Sequence, residues 1–112
     1  MAYGTIKIGE MSIEMAANAA SPYIFRQLFK EDFLKKLQEK EPDPDIFQKM
    51  GYVMAKQAET SKMSNLMKLT VDGFYDWLTQ FEPLDILEAT GEISTLYLSQ
   101  TEGLSVPKEK GD

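Results

Sequence analysis

Carboxylates are the only plentiful side chains in this sequence with catalytic or metal-binding capacity, and two groups of them fall at helical spacing. Asp72 and Asp76 stand four residues apart near the start of an amphipathic run, where acids favour the positive end of a helix dipole. Asp85, Glu88 and Glu92 share one face of a later run and could offer oxygen ligands to a hard cation. A solvated helix face produces the same spacing, and helix stabilisation accounts for the aspartate pair without any ligand. The chain contains neither histidine nor cysteine. That removes the commonest general base, the commonest transition-metal ligand and the usual partner of a serine nucleophile. Disulfides and cysteine-based zinc sites are excluded with them. Gly73, Gly91 and Gly103 are isolated, so no glycine-rich phosphate loop is present. The expectation is a protein that is not an enzyme and that carries no cofactor or metal.

Side chains suited to contact with other proteins are easier to find. Flexible thioethers adapt to varied surfaces, and of the seven methionines Met50 and Met54 fall on the apolar side of a helix, whereas Met63 and Met67 fall in a connection. Tyr23 sits beside Pro22, and Tyr52 lies opposite the expected core side of its helix. Both are of the type enriched at interfaces. With the broad apolar surface near the C-terminus, the candidate protein-binding residues are Tyr23, Tyr52, Met63, Met67, Trp77, Leu84, Tyr97 and Leu98.

The elements that must position these residues begin with a hairpin. Over residues 5–15, Ile6, Ile8, Met11, Ile13 and Met15 alternate with polar residues, a period of two. Gly9-Glu10 suits a type II′ turn, which pairs Ile8 with Met11 and Ile6 with Ile13 and keeps the apolar side chains on one face. A lone hairpin is marginal, so that face requires helices against it. Ser21-Pro22 reads as a capped helix start followed by Ile24, Phe25, Leu28 and Phe29 at helical spacing. Asp32 is a cap for a second short helix with Phe33, Leu34 and Leu37 inward. Asp43-Pro44 repeats the signal and opens a third helix to about Glu59, with Ile46, Phe47, Met50, Val53 and Met54 inward. Residues 60–69 read as a loop with some helical tendency. Phe74, Trp77, Leu78 and Phe81 mark the next helix, and the last runs over about residues 83–99. There Leu84, Ile86, Leu87, Ala89, Ile93, Tyr97 and Leu98 make an apolar surface broad enough for contacts on two sides.

The fold class expected is therefore α+β and mostly helical, an N-terminal β-hairpin packed on about five amphipathic helices. A chain of 112 residues has room for one domain, here residues 1–100, with a flexible C-terminal tail over 101–112. The 43% hydrophobic content is enough to fill a core of that size. A net charge of −6 repels phosphate backbones and anionic lipid. Lys35, Lys36 and Lys40, the densest basic group, alternate with Glu39 and Glu41 as on a solvated face. Neither nucleic acid nor membrane is an expected partner. The N-terminal residues lack the basic and apolar regions of a secretory signal, which points to the cytoplasm.

With these residues in place, the order of elements resembles a known family. A hairpin leads to Ala19-Ala20-Ser21-Pro22-Tyr23-Ile24-Phe25-Arg26-Gln27-Leu28-Phe29-Lys30-Glu31-Asp32, then to Gly51-Tyr52-Val53-Met54-Ala55-Lys56-Gln57-Ala58. Phe74-Tyr75-Asp76-Trp77-Leu78-Thr79-Gln80-Phe81 and a leucine-rich final helix follow. This resembles the tail assembly chaperones of long-tailed, non-contractile (siphovirus-type) phages and prophages of Gram-positive bacteria, over about residues 5–100. Lys30 departs from the pattern, because a glycine ending the first helix is expected there, and it leaves open whether the first two helices are continuous. The resemblance implies a chaperone that coats the tape measure protein, keeps its hydrophobic helices soluble and helps recruit tail tube protein. It also implies self-association, a place in the cytoplasm of the bacterial host, absence from the mature virion and, in many phages, a longer form made by frameshifting near residues 101–112. Two other classes compete: a small acidic regulatory or inhibitor protein of phage origin, and a carboxylate-dependent metal enzyme built on Asp85, Glu88 and Glu92.

Overall fold

Gly9 and Glu10 join two antiparallel strands, β1 (Ala2–Ile8) and β2 (Met11–Ala17). The structure, a computed structural model, describes residues 2–41, 43 and 45–105, with side chains through Ser99. Gly9 has φ 65° and Glu10 does not have positive φ, as a II′ turn requires. The register places Ile8 opposite Met11 and Ile6 opposite Ile13, as the period of two predicts, and it continues outward to Ala2 opposite Ala17. Ile6, Ile8, Met15 and Ala17 are buried, while Met11 beside the turn is exposed.

Six helices follow among the described residues: α1 (Ser21–Phe29), α2 (Phe33–Leu37), α3 (Asp45–Glu59), α4 (Met63–Leu66), α5 (Val71–Leu78) and α6 (Pro83–Ser105). The inner face of the hairpin lies on α3 through β2 and on α6 through β1, and α3 and α6 also touch each other. Gly51 makes that approach possible, because a Cβ there would lie 2.9 Å from Ile93 Cδ1 and 3.6 Å from Met15 Cε. Hairpin, α3 and α6 thus meet at one point of the core. The architecture is α+β and mostly helical, as expected.

Helix boundaries follow local chemistry, with corrections. Ser21 does not cap α1. The cap position is Ala20, and Asn18 Oδ1 accepts the Ala20 amide at 2.8 Å instead. The Ser21 hydroxyl, fully buried, accepts from the Asn18 amide at 3.0 Å and donates to Gln57 Oε1 at 2.5 Å. Gln57 Nε2 in turn donates to Asn18 Oδ1 at 3.1 Å. This closed polar network ties the end of the hairpin to α1 and α3, and burial makes each of its bonds costly to leave unmade.

Lys30 ends α1 in the left-handed conformation (φ 59°, ψ 34°), its amide donating to Arg26 O. α1 and α2 are therefore separate helices, with lysine in the conformation a glycine takes more readily. Asp32 caps α2 as expected, accepting from the Lys35 amide at 3.1 Å. Leu34, expected inward, is exposed, because this one-and-a-half-turn helix buries only Phe33 completely. The start of α3 at Asp45 agrees with the Asp43-Pro44 signal, although Pro42 and Pro44 lie outside the described residues. Residues 63–66 of the expected loop form α4, and Thr70 caps α5 by accepting from the Gly73 amide at 3.1 Å. α6 continues to Ser105, past the boundary at residue 100; residues 106–112 of the expected tail lie outside the described residues.

Candidate protein-interaction surfaces

Three of the eight residues expected at an interface belong to the core. Tyr52, Trp77 and Tyr97 are 3%, 8% and 4% exposed. Tyr52 lies opposite the apolar side of α3, but α5 covers that side as well. Its ring lies 5.5 Å from the Trp77 ring and 5.7 Å from the Phe74 ring. Lys56 Nζ caps the ring at 5.6 Å from its centroid, and the hydroxyl rests against Gly73, where a Cβ would stand 2.7 Å from it. Tyr97 meets the Phe33 ring edge-on at 5.0 Å, and Phe33 continues the aromatic cluster to Phe25. Burial raises the pKa of both hydroxyls above the ordinary tyrosine value; at Tyr52 the carboxylates of Glu59 and Asp76 add to it. These three side chains anchor helices to each other.

The other five residues divide between places. Tyr23, 66% exposed, stands on the outer side of α1 and shares a concavity of about 550 Å³ with Met67, Arg26, Lys30 and Asp32. A neighbouring hollow of about 400 Å³ adds Pro22 and Leu34 to the same surface. Met67 is half-buried against the core, and Met63 is exposed without lining either hollow. Tyr23 and Met67 are thus brought together, and Met63 is not.

Leu84 and Leu98 line neither hollow and stand exposed on the outer side of α6. This helix is apolar twice over. Ile86, Ala89, Ile93 and Tyr97 repeat at helical spacing and are buried. Leu84, Leu87, Gly91 and Leu98 repeat on the outer side, and the three leucines are exposed, Leu84 to 70%. Beside this stripe a groove of about 680 Å³ runs between β1 and α6, walled by Gly4, Thr5 and Ile6 on one side and by Glu88, Gly91, Glu92 and Thr95 on the other. A Cβ at Gly91 would meet nothing within 4 Å. No packing inside the protein therefore asks for a glycine at the middle of this helix, where it is unfavourable.

The charge around the two surfaces differs, and the sequence carries the signal. No lysine or arginine stands between Lys68 and Lys108, whereas Asp72, Asp76, Glu82, Asp85, Glu88, Glu92 and Glu102 fall in that interval. The ion pairs among the described residues are Lys36–Glu39, Lys49–Glu31, Lys49–Asp45 and Lys56–Glu59, all outside α5 and α6. The spacing of the acids does not mark Glu88 and Glu92 as the flank of an apolar stripe; the lack of lysine and arginine over residues 69–107 does. Asp85, Glu88 and Glu92 do not gather as ligands. Asp85 turns toward the hairpin, its Oδ2 2.6 Å from where a Gly9 Cβ would be, while Glu88 and Glu92 are exposed. Among the described residues no group of three acidic side chains is arranged to hold a metal ion.

No helix among the described residues is long and apolar enough to cross a membrane. In comparisons with protein-family models, with curated proteins and with solved structures, the chain matches none.

Proposed function

We propose that this chain is a protein-binding module of the tail assembly chaperone kind, which engages the tape measure protein, shields its hydrophobic helices and helps recruit tail tube subunits in the cytoplasm of a bacterial host. The observation that carries the proposal is the second apolar side of α6. Leu84, Leu87 and Leu98 remain exposed after Ile86, Ala89, Ile93 and Tyr97 have completed the core. Exposed leucines repeating along one side of a helix offer apolar contacts to a partner, and a groove beside a helix is a usual seat for amphipathic segments. The resemblance in element order over residues 5–100 supplies the client. Co-expression with the tape measure protein of the same genome tests the idea: the two should co-purify, and the tape measure protein should be insoluble alone. A tape measure protein that is soluble alone and never associates with this chain rejects it.

The base-free interval over 69–107 favours one other reading, a small acidic regulatory or inhibitor protein of phage origin whose acidic side covers a basic surface of its target. The co-purification experiment separates the two, because only the chaperone reading requires the tape measure protein.

A further inference from the structure

We infer that the outer side of α6 is a docking site for a basic amphipathic helix, and that its occupant is not a second copy of this chain. The inference rests on the protein-binding reading above but not on the identity of the client.

Three observations meet on this surface. Leu84, Leu87 and Leu98 span roughly 21 Å of one side of α6, about four helical turns and the footprint of one short helix, with Gly91 and Thr95 between Leu87 and Leu98. Gly91 lies within it and opens a notch between Leu87 and Leu98, letting a second backbone come close where no side chain of this protein needs the space. The flank of the stripe is acidic, formed by Glu88 and Glu92, and no described basic residue forms an ion pair with either.

Charge then selects the occupant. Antiparallel pairing of α6 with α6 of another copy would bury the leucines but would set Glu88 and Glu92 against the same acids, with no base on the described part of either α6 to relieve them. Like charges across an interface suppress a wrong partner. A helix with apolar residues every three or four positions and lysine or arginine beside them satisfies both the stripe and its flank. The surface around Tyr23 lacks this selectivity, because Arg26, Lys30, Glu31 and Asp32 mix both signs there.

The test uses the full chain and two synthetic helical peptides of about 18 residues with the same leucine pattern, one flanked by lysine and one by glutamate. The lysine peptide is expected to bind, to shift the backbone amide resonances of Leu84, Leu87, Gly91 and Leu98, and to weaken about tenfold or more between low and high salt as screening removes the ion pairs. The glutamate peptide is expected not to bind. In the Glu88→Lys/Glu92→Lys variant the preference should reverse. Because both residues are exposed, the variant should keep the parent circular dichroism spectrum. Leu84→Ser, also exposed, should weaken the lysine peptide without a charge change. Equal binding of both peptides, unchanged preference in the charge-swapped variant, or shifts confined to the Tyr23 surface would overturn the inference. So would a dimer that Leu84→Ser dissociates, since the occupant would then be a second copy. A peptide result as expected beside a tape measure protein that fails to co-purify would reject the proposed client while leaving the docking site standing.

Discussion

α3 and α6 are the two long helices under the hairpin, and they differ in how many neighbours cover them. α3 touches β2, α1, α5 and α6, and its residues from Met50 to Ala55 are buried on every side of the helix. Most of its polar residues are used locally: Lys49 pairs with Glu31 and Asp45, Lys56 with Glu59, and Gln57 with the Asn18–Ser21 network. α6 packs chiefly on the hairpin and α3 and is buried along a single stripe. Its outer leucines are exposed, and among the described residues Glu88 and Glu92 form no ion pair. Two helices with apolar sides thus differ in exposure, one closed within the fold and one open to solvent, and coverage by other elements separates them.

The largest expected effect comes from cutting the buried side of α6 and sparing its open side. Ile93→Ala should lower stability by about 2–5 kcal/mol, because Ile93 is fully buried between α3 and the hairpin. Leu84→Ala and Leu87→Ala should each stay within about 0.5 kcal/mol. Urea denaturation of the three variants makes the measurement, and similar losses in all three would erase the distinction between the two sides.

The glycines of the two helices should respond with opposite sign. Gly91→Ala places a methyl in open space and should stabilise by about 1 kcal/mol through helix propensity. Gly51→Ala drives a methyl to 2.9 Å from Ile93 Cδ1, in a place with little room to yield, and overpacking of about 1–3 kcal/mol should outweigh the same propensity gain. Thermal melts of both would show it; a stabilised Gly51→Ala would mean that the α3–α6 contact is looser than the distance implies.

Alkaline pH probes the aromatic side of the same comparison. The Tyr52 and Tyr97 hydroxyls have pKa values raised by folding, so the folded state holds their protons more tightly than the unfolded chain. Their contribution is fully present below the unfolded value of about 10 and is lost as pH rises through the raised folded values. Stability should therefore fall steeply above pH ~10, and Tyr97→Phe should flatten the fall. A pH profile unchanged by Tyr97→Phe would place that hydroxyl in contact with solvent.

The smallest effect belongs to the joint between α1 and α2. Lys30→Gly should stabilise by a few tenths to about 1 kcal/mol, since glycine takes the left-handed conformation without the cost a side chain brings. A loss of stability, read by the same urea titration, would show that the lysine stem contributes packing that outweighs its backbone strain.

Local rules made part of this architecture legible in the sequence. The alternation of Ile6, Ile8, Ile13 and Met15 about Gly9-Glu10 specifies the register, because a slip of one residue would turn every apolar side chain outward. Asp32 acts as the cap its position suggests, and Ile24, Phe25 and Leu28 are buried as their spacing implies. Ser21 shows where such rules end: its type suits a cap, but Gln57, far along the chain, claims the hydroxyl.

The interaction surfaces were legible only in part. A helical period shows which residues share a side of one helix and does not show how many other elements lie against it. Tyr52 looks exposed because α3 taken alone has one apolar side; it is buried because Phe74 and Trp77 arrive from α5. Leu84 and Tyr97 belong to the same apolar helix, and only the position of β1, α3 and Phe33 decides that one is outside and the other inside. What the sequence determined by itself was the turn, the register, several helix boundaries and the absence of histidine and cysteine chemistry, since each depends on residues within a few positions or on composition. Which apolar sides are closed and which stay open was decided by tertiary structure alone, because burial is a property of segments that meet from distant parts of the chain.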